Sequence, residues 1–409
     1  MPHQNHNIVE IIKQKSIITH FQPLISIKQK ALVGLEALSR GIDPESGELI
    51  PPTLLFEMAE KKLLTVELDR LCRQKALENF KTLPEHQDLL LAINLKTSIV
   101  DQGVVGSNFL FNQVTELNLV PDNIMIEIVE SEVNDIQSLA RFVGLYKNYG
   151  FLIALDDFGS GYSNLERISL IKPDILKIDH SLVSFLDQEH YKQEMFQSLV
   201  GLSHNLGALV VAEGIEREEE AILAHELGVD MLQGYYFAKP AVMAGDIKQQ
   251  FELLITRTAN RFKRKIMSKI EDQKLRNERY DAMINHLIGH LATVSPSNFD
   301  SKLTELIKDY SNVECIYILN DSGIQISNTI SGSQHYARQN TAIFSPAQKG
   351  ADQSLKDYYL LLHTGLPQYV SDSYISMASG NFCVTISAVF NNTHCCVKKF
   401  ILCLDISMQ

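Results

Sequence analysis

Residues 1–254 alternate short apolar runs with longer stretches in which apolar residues recur every three or four positions. The apolar runs are HFQPLISI (20–27), ALVGLEAL (31–38), LLLAINL (89–95), IMIEIVE (124–130), FLIALDD (151–157), DILKID (174–179), ALVVAEG (208–214) and MLQGYYF (231–237). Each is short enough for a strand, while a stretch such as PTLLFEMAEKKLLTVELDRLCRQKALENF has helical periodicity. Strand–helix alternation repeated eight times over this length predicts an α/β protein built on a modified (β/α)8 TIM-type barrel. Lys28 to Lys30, between the first two runs, are too few residues for a crossover helix. The two runs are therefore expected to form a hairpin, which makes the first strand antiparallel.

The pattern changes after residue 254. Residues 255–291 carry Phe262, Ile266 and Ile270, then Met283, Leu287 and Leu291, at helical spacing with no Gly or Pro before Gly289. A long linker helix is expected there. Its stretch RTANRFKRKIMSKIEDQKLRNERY is rich in Lys and Arg, which reads as a solvated helix face. Ser295-Pro296-Ser297-Asn298 breaks the helix, and residues 292–409 form a second domain of α+β type. In it FDSKLTELIKDY reads as a short helix, and CIYILNDSGIQIS as two strands around an Asn-Asp-Ser-Gly turn. FCVTISAVF and CCVKKFILCLDI read as two more strands.

Composition narrows the class without choosing a function. The chain has 409 residues, 45% hydrophobic and 21% charged, which excludes a disordered chain or a disulfide miniprotein. Its formal charge is −12, which argues against a coat on DNA or on an anionic membrane. Most of the acidity lies in residues 1–254, with 36 acidic against 21 basic residues. No apolar run is long enough for a membrane span, and the N-terminal stretch lacks a signal-peptide core, so a cytoplasmic location is expected. The six cysteines lack CxxC spacing and read as reduced core thiols; His394-Cys395-Cys396 is a weak metal motif.

Seven of the eight barrel strands finish on polar residues that a strand core would not choose. These are Glu36, Asn94, Glu127 with Glu130, Asp156-Asp157, Lys177 with Asp179, Glu213 and Gln233. In a (β/α)8 barrel the C-terminal strand ends form the active-site face, so these side chains are expected in one cavity. Several carboxylates crowded together raise one another's pKa unless cations compensate them. Carboxylates with an Asn carbonyl are oxygen donors suited to Mg2+ or Mn2+. Two adjacent acids reach one site only from a strand end or bend. Asp156 and Asp157 there can flank a pair of cations, an arrangement used for displacement at phosphorus. Asp157-Phe158-Gly159 alone suggests a kinase, but no HRD loop or glycine-rich phosphate loop accompanies it.

Together these residues resemble the EAL-domain family, phosphodiesterases for the bacterial messenger cyclic di-GMP. The namesake Glu36-Ala37-Leu38 sits in GLEALSRG, and FQPL, AINLKTS, EIVES, ALDDFGSGYSNL, ILKIDHSLV, VVAEGIE and QGYYFAKP follow in order over about residues 8–254. The arrangement of barrel, long helix and terminal domain is YkuI-like, and SDSYISMASGNFCVTIS is similar to a Cache-type strand pair in a PAS/Cache-like sensory domain.

The resemblance implies cyclic di-GMP hydrolysis to linear pGpG under control of the second domain, or else a receptor that binds the nucleotide with weak turnover. It implies two Mg2+ or Mn2+ ions, with Ca2+ expected to inhibit. Glu36, Asn94, Glu127 and Asp156 are implied as ligands of the first ion, and Asp157 of the second with Asp156 shared. Lys177 is implied to hold the attacking water, Glu213 to act as base or second-ion contact, and Glu130 to anchor the loop after Asp157. Gln22, Leu38, Arg40, Asn94, Asp179, Gln233, Phe237 and Pro240 are implied substrate contacts. The implied partners are cyclic di-GMP, a second copy of the chain in a homodimer, and an unknown small molecule or protein for the second domain. Arg217 stands where the family usually has Thr, away from every assigned role.

Overall fold

A computed structural model describes residues 6–96, 108–129, 136–159, 165–332, 343–394 and 398–408. The chain forms two compact units, Met1–Ile266 and Met267–Gln409.

In the first unit β1 (Ile17–Ser26) and β2 (Ala31–Ile42) form the expected antiparallel hairpin. β3 (Leu49–Ile50) is a short strand on the end of β2 that the sequence pattern did not announce. β4 (Leu90–Leu95), β5 (Ile124–Val129), β6 (Leu152–Phe158), β7 (Ile175–Ile178), β8 (Leu209–Ala212) and β9 (Met231–Leu232) run parallel to β2 in turn. β1 pairs antiparallel with both β2 and β9, closing a barrel of eight strands with β3 appended.

Strand periodicity then sorts the side chains into layers. On β5, Ile124, Ile126 and Ile128 face the helices while Met125 faces the barrel axis. Ala92, Met125, Ala154, Ile175, Val211 and Met231 form one inner apolar layer with Leu24. Two residues further along, Asn94, Glu127, Asp156 and Lys177 stand on the same faces of their strands, and Glu213 and Gln233 follow the ends of β8 and β9. The apolar layer is the floor beneath them.

The last strand is shorter than its apolar run. Gln233 turns the chain, with its N–H on the Ala212 carbonyl and its own carbonyl accepting from Ile215 N–H. Gly234 lies so close to the Ile215 backbone that an added Cβ would meet its carbonyl oxygen at 2.1 Å.

The long helix runs from Ile247 to Leu291, eight residues longer at its start than expected. Ile247, Phe251, Ile255 and Ala259 pack in the core of the first unit. Met283, Ile284, Leu287 and Leu291 pack in that of the second.

In the second unit β10 (Val313–Asn320), β11 (Ile330–Ser331), β12 (Gln368–Val370), β13 (Tyr374–Ile375), β14 (Phe382–Asn392) and β15 (Lys398–Ser407) form an antiparallel sheet. Ile316, Ile318, Ile386, Leu402 and Leu404 bury one face against the end of the long helix and the helix Phe299–Leu306. Tyr317, Leu319, Ile401 and Cys403 bury the other with Tyr358 and Tyr359, so these tyrosines are core. The expected second strand after the Asn-Asp-Ser-Gly turn is reduced to isolated bridges. There the Ser327 hydroxyl accepts the Ile318 N–H, and the Gln325 N–H goes to Ala351. Cys395 and Cys396 lie outside the described residues, and the other four cysteines are buried and free.

Candidate functional site

Glu36, Glu127, Asp156 and Glu213 converge on one ammonium group. Lys177 Nζ lies 2.6 Å from Glu127 Oε1, 2.6 Å from Glu213 Oε1, 3.3 Å from Asp156 Oδ1 and 3.7 Å from Glu36 Oε2. Lys177 and Glu127 are almost wholly buried, at 1% and 0% exposure. The four acids hold the Lys177 pKa well above its ordinary value, overriding the burial that opposes them. Burial and the neighbouring carboxylates push Glu127 well up. Burial likewise raises Glu213, to about 8. Burial also acts upward on Glu36, but Lys177 and hydrogen bonds from Gln233 and Asn94 outweigh it and carry Glu36 below its ordinary value.

The amides order this cluster. Asn94 Nδ2 donates to Glu36 Oε1 at 2.9 Å, and Gln233 Nε2 donates to Glu36 Oε2 at 2.5 Å and to Gln22 Oε1 at 3.2 Å. Gln22 Nε2 in turn reaches the Ala238 carbonyl at 3.1 Å.

Asp156 and Asp157 meet the condition that adjacent acids need a bend. The β6–β7 register slips between Leu155 and Phe158, and Asp157 has φ +57. Its N–H donates to Asp156 Oδ1 at 3.0 Å. Ligand oxygens of Asp156, Asp157 and Glu213 lie within 4.8 Å of one another.

This donor set fits a hard divalent cation. Among the described residues, Glu127 Oε2 is buried with no hydrogen-bond partner, and one lysine faces four carboxylates. Oxygen-only donors with surplus negative charge are what Mg2+ or Mn2+ requires.

The remaining expected residues are dispersed around the mouth. Leu38 and Arg40 line a cavity of ≈ 300 Å³ that also contains Glu36 and Asn94. Arg40 Nη1 donates to the Ser39 carbonyl at 2.9 Å. Asp179 caps the helix His180–Val183, accepting from Ser181 N–H at 3.0 Å. Phe237, an implied substrate contact, is 7% exposed and edge-on to Tyr236. Pro240 is half-buried, and its carbonyl bonds the His20 ring. Glu130 lies outside the described residues.

Two groups escaped the strand-end reading. Asp69 and Arg73, an ion pair one turn apart, line the same cavity although both are buried. Their signal was two charges within the buried stripe Leu68, Cys72 and Ala76 of a helix. The other is His20, whose ring is held below its ordinary pKa by burial and then by the Arg40 charge.

The EAL domain model matches residues 5–240, more than half of the chain. This chain belongs to the EAL domain family. Among curated proteins, the EAL-domain containing protein YkuI of Bacillus subtilis is 26% identical over 91% of this chain and 91% of its own, and its function is uncharacterised. The cyclic di-GMP phosphodiesterase RocR of Pseudomonas aeruginosa is 30% identical over 54% of this chain and 56% of its own. This chain spans about half the length of the curated EAL phosphodiesterases it matches, as with 45% and 47% of two from Escherichia coli. Among solved structures, YkuI with cyclic di-GMP and calcium superposes with TM-score 0.81 at 22% identity, over 98% of this chain and 99% of that one. The EAL protein BlrP1 of Klebsiella pneumoniae, solved with manganese and cyclic di-GMP, has TM-score 0.51 at 27% identity, over 59% of this chain and 57% of its own. The barrel with its appended strand and the separate C-terminal sheet are thus the architecture of a YkuI-type EAL protein.

Proposed function

We propose that the barrel hydrolyses cyclic di-GMP to linear pGpG. The observation that carries this reading is the convergence of Glu36, Glu127, Asp156 and Glu213 on Lys177, with Asp157 and Asn94 beside them. The same substrate is named for RocR and found bound in YkuI and BlrP1.

Glu36, Asn94, Glu127, Asp156 and Asp157 would hold two Mg2+ or Mn2+ ions. Bound there, the ions neutralise the phosphodiester and make water acidic enough to act as a nucleophile near neutral pH. Lys177 orients the attacking water with its N–H donors. Glu213 accepts the water's proton, and a carboxyl at about 8 is matched to that role. The water oxygen bonds to phosphorus as the bond to the in-line 3′ oxygen breaks, and that oxygen takes a proton from solvent to leave as a hydroxyl, which opens the ring. Arg40 contacts phosphate. Gln22 and Gln233 keep Glu36 aligned and, with Leu38, Asp179 and Pro240, border the nucleotide. The second unit regulates this turnover, in a homodimer.

Incubating the full chain with cyclic di-GMP and Mg2+ or Mn2+, and separating products by chromatography, tests the proposal. The expected product is pGpG. Tight binding with no pGpG in either metal, at any oligomeric state, would reassign the protein as a receptor.

A further inference from the structure

The long helix ends on a pair of histidines that the barrel chemistry does not use. His286 and His290 stand one turn apart, both exposed, and residues so spaced share a helix face. Their Nε2 atoms are 3.3 Å apart, with ring planes at 79°. A metal bonded to two imidazole nitrogens at about 2.0–2.1 Å with a tetrahedral angle needs them about 3.3–3.4 Å apart. That separation, here a hydrogen bond between the two rings, matches the span between two ligands of one tetrahedral ion.

A second observation concerns the far side of one ring. The Tyr310 hydroxyl lies 2.7 Å from His286 Nδ1, and Tyr310 belongs to the segment that follows the helix Phe299–Leu306. A ligating imidazole keeps a proton on its other nitrogen, and an oxygen acceptor there fixes ring orientation and tautomer. With Nδ1–H donated to Tyr310, His286 Nε2 carries the lone pair that meets His290 Nε2 and that a metal would take in its place. Glu305, on the helix Phe299–Leu306, is paired with Lys302 at 2.8 Å.

We propose that His286 and His290 form a zinc site on the second unit, with Tyr310 as the orienting partner and water filling the remaining positions. Imidazole nitrogen favours zinc, whereas the carboxylates of the barrel favour Mg2+. The two sites thus select different metals. Ligation across one turn would clamp the last turns of the helix and tie them to Tyr310.

The test uses the tag-free full chain with Mg2+ in excess, titrated with Zn2+ by calorimetry. The wild type is expected to bind one more zinc than His286→Asn or His290→Asn, and Tyr310→Phe to keep the stoichiometry with roughly tenfold weaker binding. Co2+ serves as a spectroscopic probe, because tetrahedral cobalt absorbs strongly in the visible and six-coordinate cobalt does not. The wild type is expected to show that band and both histidine variants to lack it. Equal zinc uptake in either histidine variant, or no tetrahedral cobalt band in the wild type, overturns the proposal.

Discussion

Lys177 Nζ and Glu213 Oε1 lie 2.6 Å apart at the mouth of the barrel, carried by β7 and by the residue just after β8. Among the described residues Lys177 is the single ammonium between four carboxylates, so removing it leaves buried acids uncompensated, at a cost of about 3–5 kcal/mol. Lys177→Met is expected to lower the Tm of the metal-free protein, to regain most of that loss in Mg2+, and to remain inactive in both. Differential scanning calorimetry with and without Mg2+ checks this. An unchanged metal-free Tm would show that the lysine is not the compensating charge.

Glu36→Ala removes a carboxylate that two amides and Lys177 hold in place. Turnover of cyclic di-GMP is expected to disappear, while circular dichroism shows an intact barrel. Wild-type turnover in this variant would take Glu36 out of the site.

Arg40 borders the cavity beside Glu36 and is not one of the oxygen ligands. A charge-assisted contact to phosphate is worth about 1.5–3 kcal/mol, or a factor of roughly 10–100. Arg40→Ala is expected to raise KM by about that factor, with the Mg2+ concentration for half-maximal rate little changed. An unaltered KM would contradict a phosphate contact.

In the second unit, Asp405 is buried and accepts from Thr385, Ser376 and Cys315. Burial raises its pKa, so the folded state holds this proton more tightly than the unfolded state does. The sign follows from linkage: stability contributed here falls as pH rises above the ordinary carboxylate value. Asp405→Asn keeps the shape without the charge. Its Tm is expected to be at least that of wild type at pH 8, with a shallower decline between pH 5 and pH 8. Parallel melting curves for the two proteins would refute the effect.

Much of the barrel was legible because strand periodicity writes floor and site on the same face. Ala92 then Asn94, Met125 then Glu127, and Val211 then Glu213 each pair an apolar residue with a polar one two positions on. The Lys28–Lys30 turn likewise gave the antiparallel first strand, since nothing else fits so short a link. Asp69 and Arg73 were hidden because a helix wall carries no comparable punctuation, and two charges within an amphipathic repeat look like surface. The close approach of Gly234 to the Ile215 backbone joins segments that no local pattern brings together. The missing strand at Gln325 likewise arises from a side chain, Ser327, occupying a ladder position that propensity assigns to backbone.

The helix Ile247–Leu291 also decides where the chain can be divided. A cut after residue 254, at the end of the family motifs, would strip Ile255 and Ala259 from the core of the first unit. It would also strand the buried Glu218, which Arg257 and Arg261 contact from the next turns of that helix. A fragment ending there would measure its own instability rather than the independence of the barrel. The first compact unit extends through Ile266, so a fragment ending at residue 254 is expected to lose activity through a torn core even where no regulator is missing.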